Sequence, residues 1–244
     1  MRLRTLLAII ALFVLPLGVS AAVVQREGDG WWNARRDSSG QAPDPANTPE
    51  AVVQVYAART VGWRGALAVH TWLALKPAGA ADFTRYEVIG WGVDRGAAAI
   101  RVNRFGPDNY WFGARPDLLF DLRGESAALM IREIELAIAS YPYANEYRTW
   151  PGPNSNTFTA YVARSVPGLE VDLPPNAIGK DYLPDGALIA PAPSGTGYQI
   201  SLFGALGLLV AAEEGIELNF LGLTVGFDFR PFALKLPGLG RIGA

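Results

Sequence analysis

The sequence predicts an α+β fold: a mixed or antiparallel sheet, one main helix, and a second, shorter helix. Three observations carry this reading. β-Branched or alternating runs recur through residues 51–104. Only one stretch, 126–141, sustains helical periodicity. The 27 glycines and 18 prolines among 244 residues favour strands, turns and loops over a helical bundle. Half the chain is hydrophobic and 18% is charged, enough for a sizeable core and far from a disordered composition.

The elements follow in chain order. Strands are expected at Ala51–Ala58 (AVVQVYAA), Ala66–Leu75 (ALAVHTWLAL), Tyr86–Gly92 (YEVIGWG) and Ala98–Arg104. The main helix, Ser126–Tyr141, lies between Gly124 and Pro142, with Leu129, Ile134 and Ile138 expected on its buried face. The second helix is expected from about Ser155 to Arg164, between Pro153 and Pro167. Residues 165–197 read as a loop layer. Tyr198–Phe229 reads as a C-terminal β-hairpin turning at Ala212–Gly215. Leu202–Ala212 is too short to span a membrane as a helix, and its glycines favour buried strands; a membrane-contacting hairpin is the alternative. A single domain is expected over 51–244.

Ahead of that domain, Arg2 and Arg4 precede an uncharged, apolar run from Leu6 to Val24. Val19-Ser20-Ala21 offers the small residues that signal peptidase accepts. Export to the periplasm is therefore expected. Residues 1–24 act either as a cleaved signal peptide or, through residues 6–24, as an inner-membrane anchor. Residues 25–50 have a linker's composition. Trp31 and Trp32 suit either a membrane interface or docking onto the body.

Composition narrows the function. The net charge of −2 gives no electrostatic drive toward nucleic acid. With no Cys there are no disulfides, thiolate ligands or cysteine nucleophiles, and a single His precludes a multi-His metal site. No cofactor is expected. The GLGRIG run at 238–243 matches dinucleotide-site spacing but has no helix after it to receive a pyrophosphate. The PSGTG run at 193–197 is explained by turn composition.

Two features could carry chemistry. His70 lies inside an apolar strand. Asn154-Ser155-Asn156 opens the second predicted helix. A hydroxyl at a helix N-terminus gains from the free backbone N–H groups and the positive dipole end, which also suit an oxyanion. A His on a neighbouring strand suits a general base. Ser155 is thus the candidate nucleophile and His70 the candidate base. Glu87 is the first candidate to orient His70, ahead of Tyr86 and Asn109. Asn154, Asn156, Trp150 and Tyr86 are candidate binding residues. Helix capping is a competing explanation of the Asn-Ser-Asn run.

The segments GWRGALAVHTWLALK (62–76), YEVIGWG (86–92), YWFG (110–113), WPGPNSNTF (150–158), GKDYLP (179–184) and PSGTGYQ (193–199) resemble a bacterial family, the domain of unknown function numbered 3750. That resemblance implies no activity. The order of His70 before Asn154-Ser155-Asn156 resembles the permuted papain-like (NlpC-type) hydrolases, in which a strand His precedes a nucleophilic Cys at a helix start. Ser155 stands where that family has Cys. A hydroxyl is far harder to deprotonate than a thiol, so the departure bears directly on activity. The resemblance implies an exported cell-envelope Ser/His hydrolase or acyltransferase acting on an amide or ester. The alternative is a non-catalytic envelope binding module, or a membrane-associated structural one, with a degenerate site. An envelope substrate or ligand and the inner membrane are the expected partners.

Overall fold

A computed structural model describes residues 3–26 and 32–243, without the side chains of 3–10, 25 and 26. Trp31 lies outside the described residues. The fold is α+β with two antiparallel sheets. The first contains β1 (Val52–Arg59), β2 (Val69–Lys76), β3 (Thr84–Val88), β4 (Ile100–Val102) and β5 (Asp117–Arg123), in the order β4-β3-β2-β1-β5. Two helices, α2 (Glu125–Ala139) and α3 (Ser155–Ser165), pack on one face. The helix α1 (Leu3–Arg26) precedes both sheets.

Alternation along β1 and β2 divides their side chains between two apolar layers. Val53, Val55, Leu73 and Leu75 meet Ile134 and Phe158 on the helix side. Val52, Tyr56, Trp72 and Ala74 meet Phe83, Ile89 and Trp111 on the other. Both strands are buried throughout their apolar positions, which is why they read as continuous runs. On α2, Ile134 and Ile138 are buried as expected, but Leu129 is 64% exposed. At 100° per residue, Leu129 lies far round the helix from the stripe formed by Ala127, Ile131, Ile134 and Ile138.

The C-terminal part exceeds the expected hairpin. β6 (Ile189–Pro191), β7 (Gly197–Leu202), β8 (Leu206–Ala211), β9 (Gly215–Phe220), β10 (Leu223–Phe229), β11 (Phe232–Leu236) and β12 (Gly240–Gly243) form a seven-stranded meander, paired in chain order. The expected turn at 212–215 joins β8 to β9. Leu202–Ala212 is β-structure as expected, but Leu202, Leu206, Leu208 and Val210 are exposed where burial was expected. The reason is an inverted pattern: the inward positions of this sheet carry Gln199, Ser201, Glu217, Asn219, Asp228 and Lys235.

The first helix is seated on the body. The Ser20 hydroxyl donates to the Gly238 carbonyl at 2.9 Å, and the Arg59 guanidinium donates to Ser20 Oγ at 3.0 Å. Among the described residues, no helix is long and apolar enough to cross a membrane. The segment with linker composition is also tied down. The carboxylate of buried Asp108 accepts hydrogen bonds from the hydroxyls of Ser38 and Ser39 and the amides of Gln41 and Ala42.

Candidate active site

β2 and β3 pair from Leu75/Thr84 to Trp72/Glu87 and no further. Beyond that point Ile89 pairs instead with Ala99. The strands part, and a cavity of about 840 Å³ opens at the gap. Val69 and His70 line it from β2, Val88 to Trp91 from β3 and its continuation, and Asn154 to Asn156 from the start of α3. Leu17 of α1 and Leu221 and Leu223 close another side. The walls are mostly apolar, and Trp63, Trp91 and Trp150 are largely exposed around them.

His70 and Glu87 come together as the strand geometry requires. Glu87 lies opposite Trp72, whose side chain shares a sheet face with that of His70. His70 Nε2 and Glu87 Oε2 are 2.7 Å apart. Tyr86, one position away, faces the helix layer instead, so register selects Glu87 over Tyr86 as the partner of His70. Asn109 lies elsewhere, donating to the Arg36 carbonyl at 2.6 Å. Arg85, two residues before Glu87 and on the same face, donates to Glu87 Oε2 at 2.8 Å. All three side chains are buried. The His70 ring stacks on Trp111 at 3.9 Å between centroids, and the Arg85 guanidinium lies 3.9 Å over the Trp72 ring.

Burial pulls the His70 pKa below the ordinary imidazole value, against the opposing pull of Glu87. Burial pushes Glu87 upward, but the hydrogen bonds and charges of His70 and Arg85 outweigh it and hold the carboxyl below its ordinary value. An ionised Glu87 facing a neutral imidazole fixes the tautomer. Nε2 carries the proton and donates to Glu87, leaving the Nδ1 lone pair free.

α3 starts where the sequence places it. Asn154 caps it, accepting from the amides of Asn156 and Thr157 through Oδ1, while Thr157 Oγ1 accepts from the Asn154 amide. Asn154 Nδ2 donates to the carbonyls of Thr149 and Ile178. Asn156 Nδ2 donates to Val69 and Ile178, and Asn156 Oδ1 accepts from the Thr71 hydroxyl. The two asparagine side chains therefore spend their hydrogen bonds on the fold. Ser155 differs. It is buried, it lines the cavity, and its hydroxyl forms no hydrogen bond among the described residues. The Asn156 amide is engaged by Asn154, which leaves the Ser155 amide as the free N–H at this helix start. His70 and Ser155 line one cavity but share no hydrogen bond. Thr71, not His70, points directly at α3 and reaches the Ser155 carbonyl at 3.1 Å.

Trp150 lines the cavity while its indole N–H donates to the Leu221 carbonyl at 3.0 Å. Sequence reasoning missed Arg85, Trp111 and Leu17. Arg85 was accessible from its two-residue spacing to Glu87; the other two come from distant segments and left no local signal. The PSGTG run is not part of the cavity: Ser194 is held by Glu214, through its amide at 2.8 Å and its hydroxyl at 2.5 Å. Among the described residues, no cluster of side chains is suited to holding a metal.

Comparison with known proteins gives a family without an activity. No curated protein and no solved structure matches the chain. The model of a family described as a protein of unknown function, DUF3750, matches residues 50–182. This region is more than half of the chain and holds His70, Glu87 and Ser155, and the protein belongs to the DUF3750 family.

Proposed function

We propose that this protein is an exported cell-envelope acyl hydrolase or acyltransferase, with Ser155 as nucleophile, His70 as general base and Glu87 orienting the base. The observation that carries this reading is the pairing of an unbonded Ser155 hydroxyl with a Glu87-bound imidazole in the wall of the same cavity. Burying a His–Glu–Arg cluster costs desolvation that an apolar replacement would avoid, so its position at a cavity favours use over packing. Substrate would enter with its carbonyl over the start of α3. Ser155 Oγ attacks the carbonyl carbon and its proton passes to His70 Nδ1. The oxyanion is held by the Ser155 amide and the positive end of the helix. The imidazolium, stabilised by Glu87, then protonates the departing amine or alcohol. Water or a second acceptor attacks the acyl-serine with His70 again as base. The apolar walls favour a substrate with a hydrocarbon part. Residues 1–24 supply export.

One observation favours a second reading, a cavity that binds an apolar ligand without chemistry. His70 follows Trp72 onto the sheet face away from α3, so substrate binding would have to bring the imidazole and hydroxyl into reach. A fluorophosphonate probe separates the two readings. Stoichiometric labelling at Ser155, lost in both Ser155→Ala and His70→Gln, supports the enzyme. A wild-type protein that resists the probe while retaining a fatty acid in the cavity supports the binding module.

A further inference from the structure

We propose that the outer face of the C-terminal sheet, together with α1, seats this protein on a lipid bilayer. The face is built by strict alternation. In β7 to β9 the outward residues pair across strands as Ile200 with Leu208 and Leu208 with Leu218; in β10 and β11 Phe227 pairs with Leu234. No outward position of β7 to β11 bears a charge. Leu218 is 53% exposed and Phe232 65%. The inward face holds the ions: Glu217 is paired with Lys180 and Lys235, and Lys235 also with Asp172 at 2.7 Å. A sheet with one wet face normally puts its apolar residues inward and its polar ones outward. The reverse order fits a sheet whose outer neighbour is hydrocarbon. An apolar face spanning several strands also exceeds what monomers in water usually expose.

The occupant is identified by α1. Phe13 meets Phe220, an outward residue of β9, edge-on at 6.2 Å between centroids. Beyond that contact Leu12, Leu15, Val19 and Val23 are exposed. Two segments far apart in sequence thus extend one apolar surface. A second copy stacked on the sheet would leave the helix uncovered, whereas a bilayer covers both. The sheet is open at β6 and β12 and not closed as a barrel, so it meets the bilayer with its outer face instead of spanning it. The cavity adjoins this junction through Leu17 and Leu221.

The test uses the full chain and neutral phosphatidylcholine vesicles. The chain has no cysteine, so Leu218→Cys and, as a control on α2, Leu129→Cys can each carry one polarity-sensitive fluorophore. The expected result is flotation with vesicles at low and high salt alike, with a blue shift of the label at position 218 and none at 129. The double variant Leu208→Lys with Leu234→Lys, checked for native circular dichroism, should bind roughly a hundred-fold or more weakly, the factor set by losing the transfer free energy of two buried leucines. Flotation without a shift at 218, or an unweakened double variant, would mean that α1 binds alone and would overturn the proposal. A vesicle-free dimer broken by the double variant, with no flotation, would assign the face to a second copy and overturn it equally. Neither outcome touches the Ser155 chemistry, which the fluorophosphonate probe reads separately.

Discussion

His70 is a base whose burial opposes its protonation, and this makes it visible in the pH dependence of stability. Its folded pKa lies below the ordinary value of about 6.5. As pH falls through that value the unfolded chain takes up a proton that the folded chain refuses, so stability drops on acidification. Glu87 works in a separate window. Its folded pKa is depressed, so its contribution is lost only below the ordinary carboxylate value of about 4.3. Urea titrations of the wild type and His70→Gln between pH ~7 and ~5 should show a steeper fall in the wild type; parallel curves would mean that the burial of His70 has no thermodynamic consequence. The same site makes a prediction for Ser155→Cys. If the imidazole reaches position 155, the thiol titrates well below the ordinary value of about 8.5. A pH series of iodoacetamide reaction rates measures it, and an ordinary value would leave Ser155 a helix residue without a base. The residue types at this site were legible because the chain has a single His and one Asn-Ser-Asn run before a helix. Their relative placement was not, since it depends on where β2 and β3 separate, which no local pattern encodes.

At the scale of elements, α3 was the most legible. Asn154 as cap and prolines on both sides fix its ends, and the helix begins at Ser155 as expected. Asn154→Ala removes the cap, frees the Thr149 carbonyl and leaves the Ile178 carbonyl only its bond from Asn156. Its cost should therefore exceed the ~1 kcal/mol typical of a lost cap, measured by urea unfolding; a smaller loss would show that water replaces these bonds freely. On α2 the contrast lies between two residues that both looked like core. Ile134→Ala should cost roughly 2–5 kcal/mol. Leu129→Ala should stay within about 0.5 kcal/mol, as solvent-facing changes do. β5 escaped sequence reading for a physical reason. DLLFDLR lies at a sheet edge, with exposed or partly exposed residues along its length, so neither clean alternation nor a buried run marks it.

At the scale of the whole molecule, the alternation of the C-terminal strands was legible and its polarity was not. Period two gives two faces, and nothing within a strand states which one meets the protein. The inward choice is visible only in the partners: Lys180 from the loop before β6, Asp172 from the loop after α3, and Arg164 from α3 itself, which donates to Gln199 Oε1 at 2.5 Å. Glu217 is central because its two oxygens serve two buried lysines, Lys180 and Lys235. Burial would lower both lysine pKa values, but the charge of Glu217, joined at Lys180 by Asp181 and at Lys235 by Asp172, raises them instead. Glu217→Gln would keep the shape and remove that charge from both. Leaving buried cations short of a partner typically costs about 3–5 kcal/mol, so this single-atom change should lower the urea midpoint severely. The neighbouring Leu218→Ser, on the outward face, should change the midpoint little in water and weaken vesicle binding instead. If the two substitutions exchanged these effects, the sheet would have the ordinary polarity, with Leu218 inside and Glu217 in solvent.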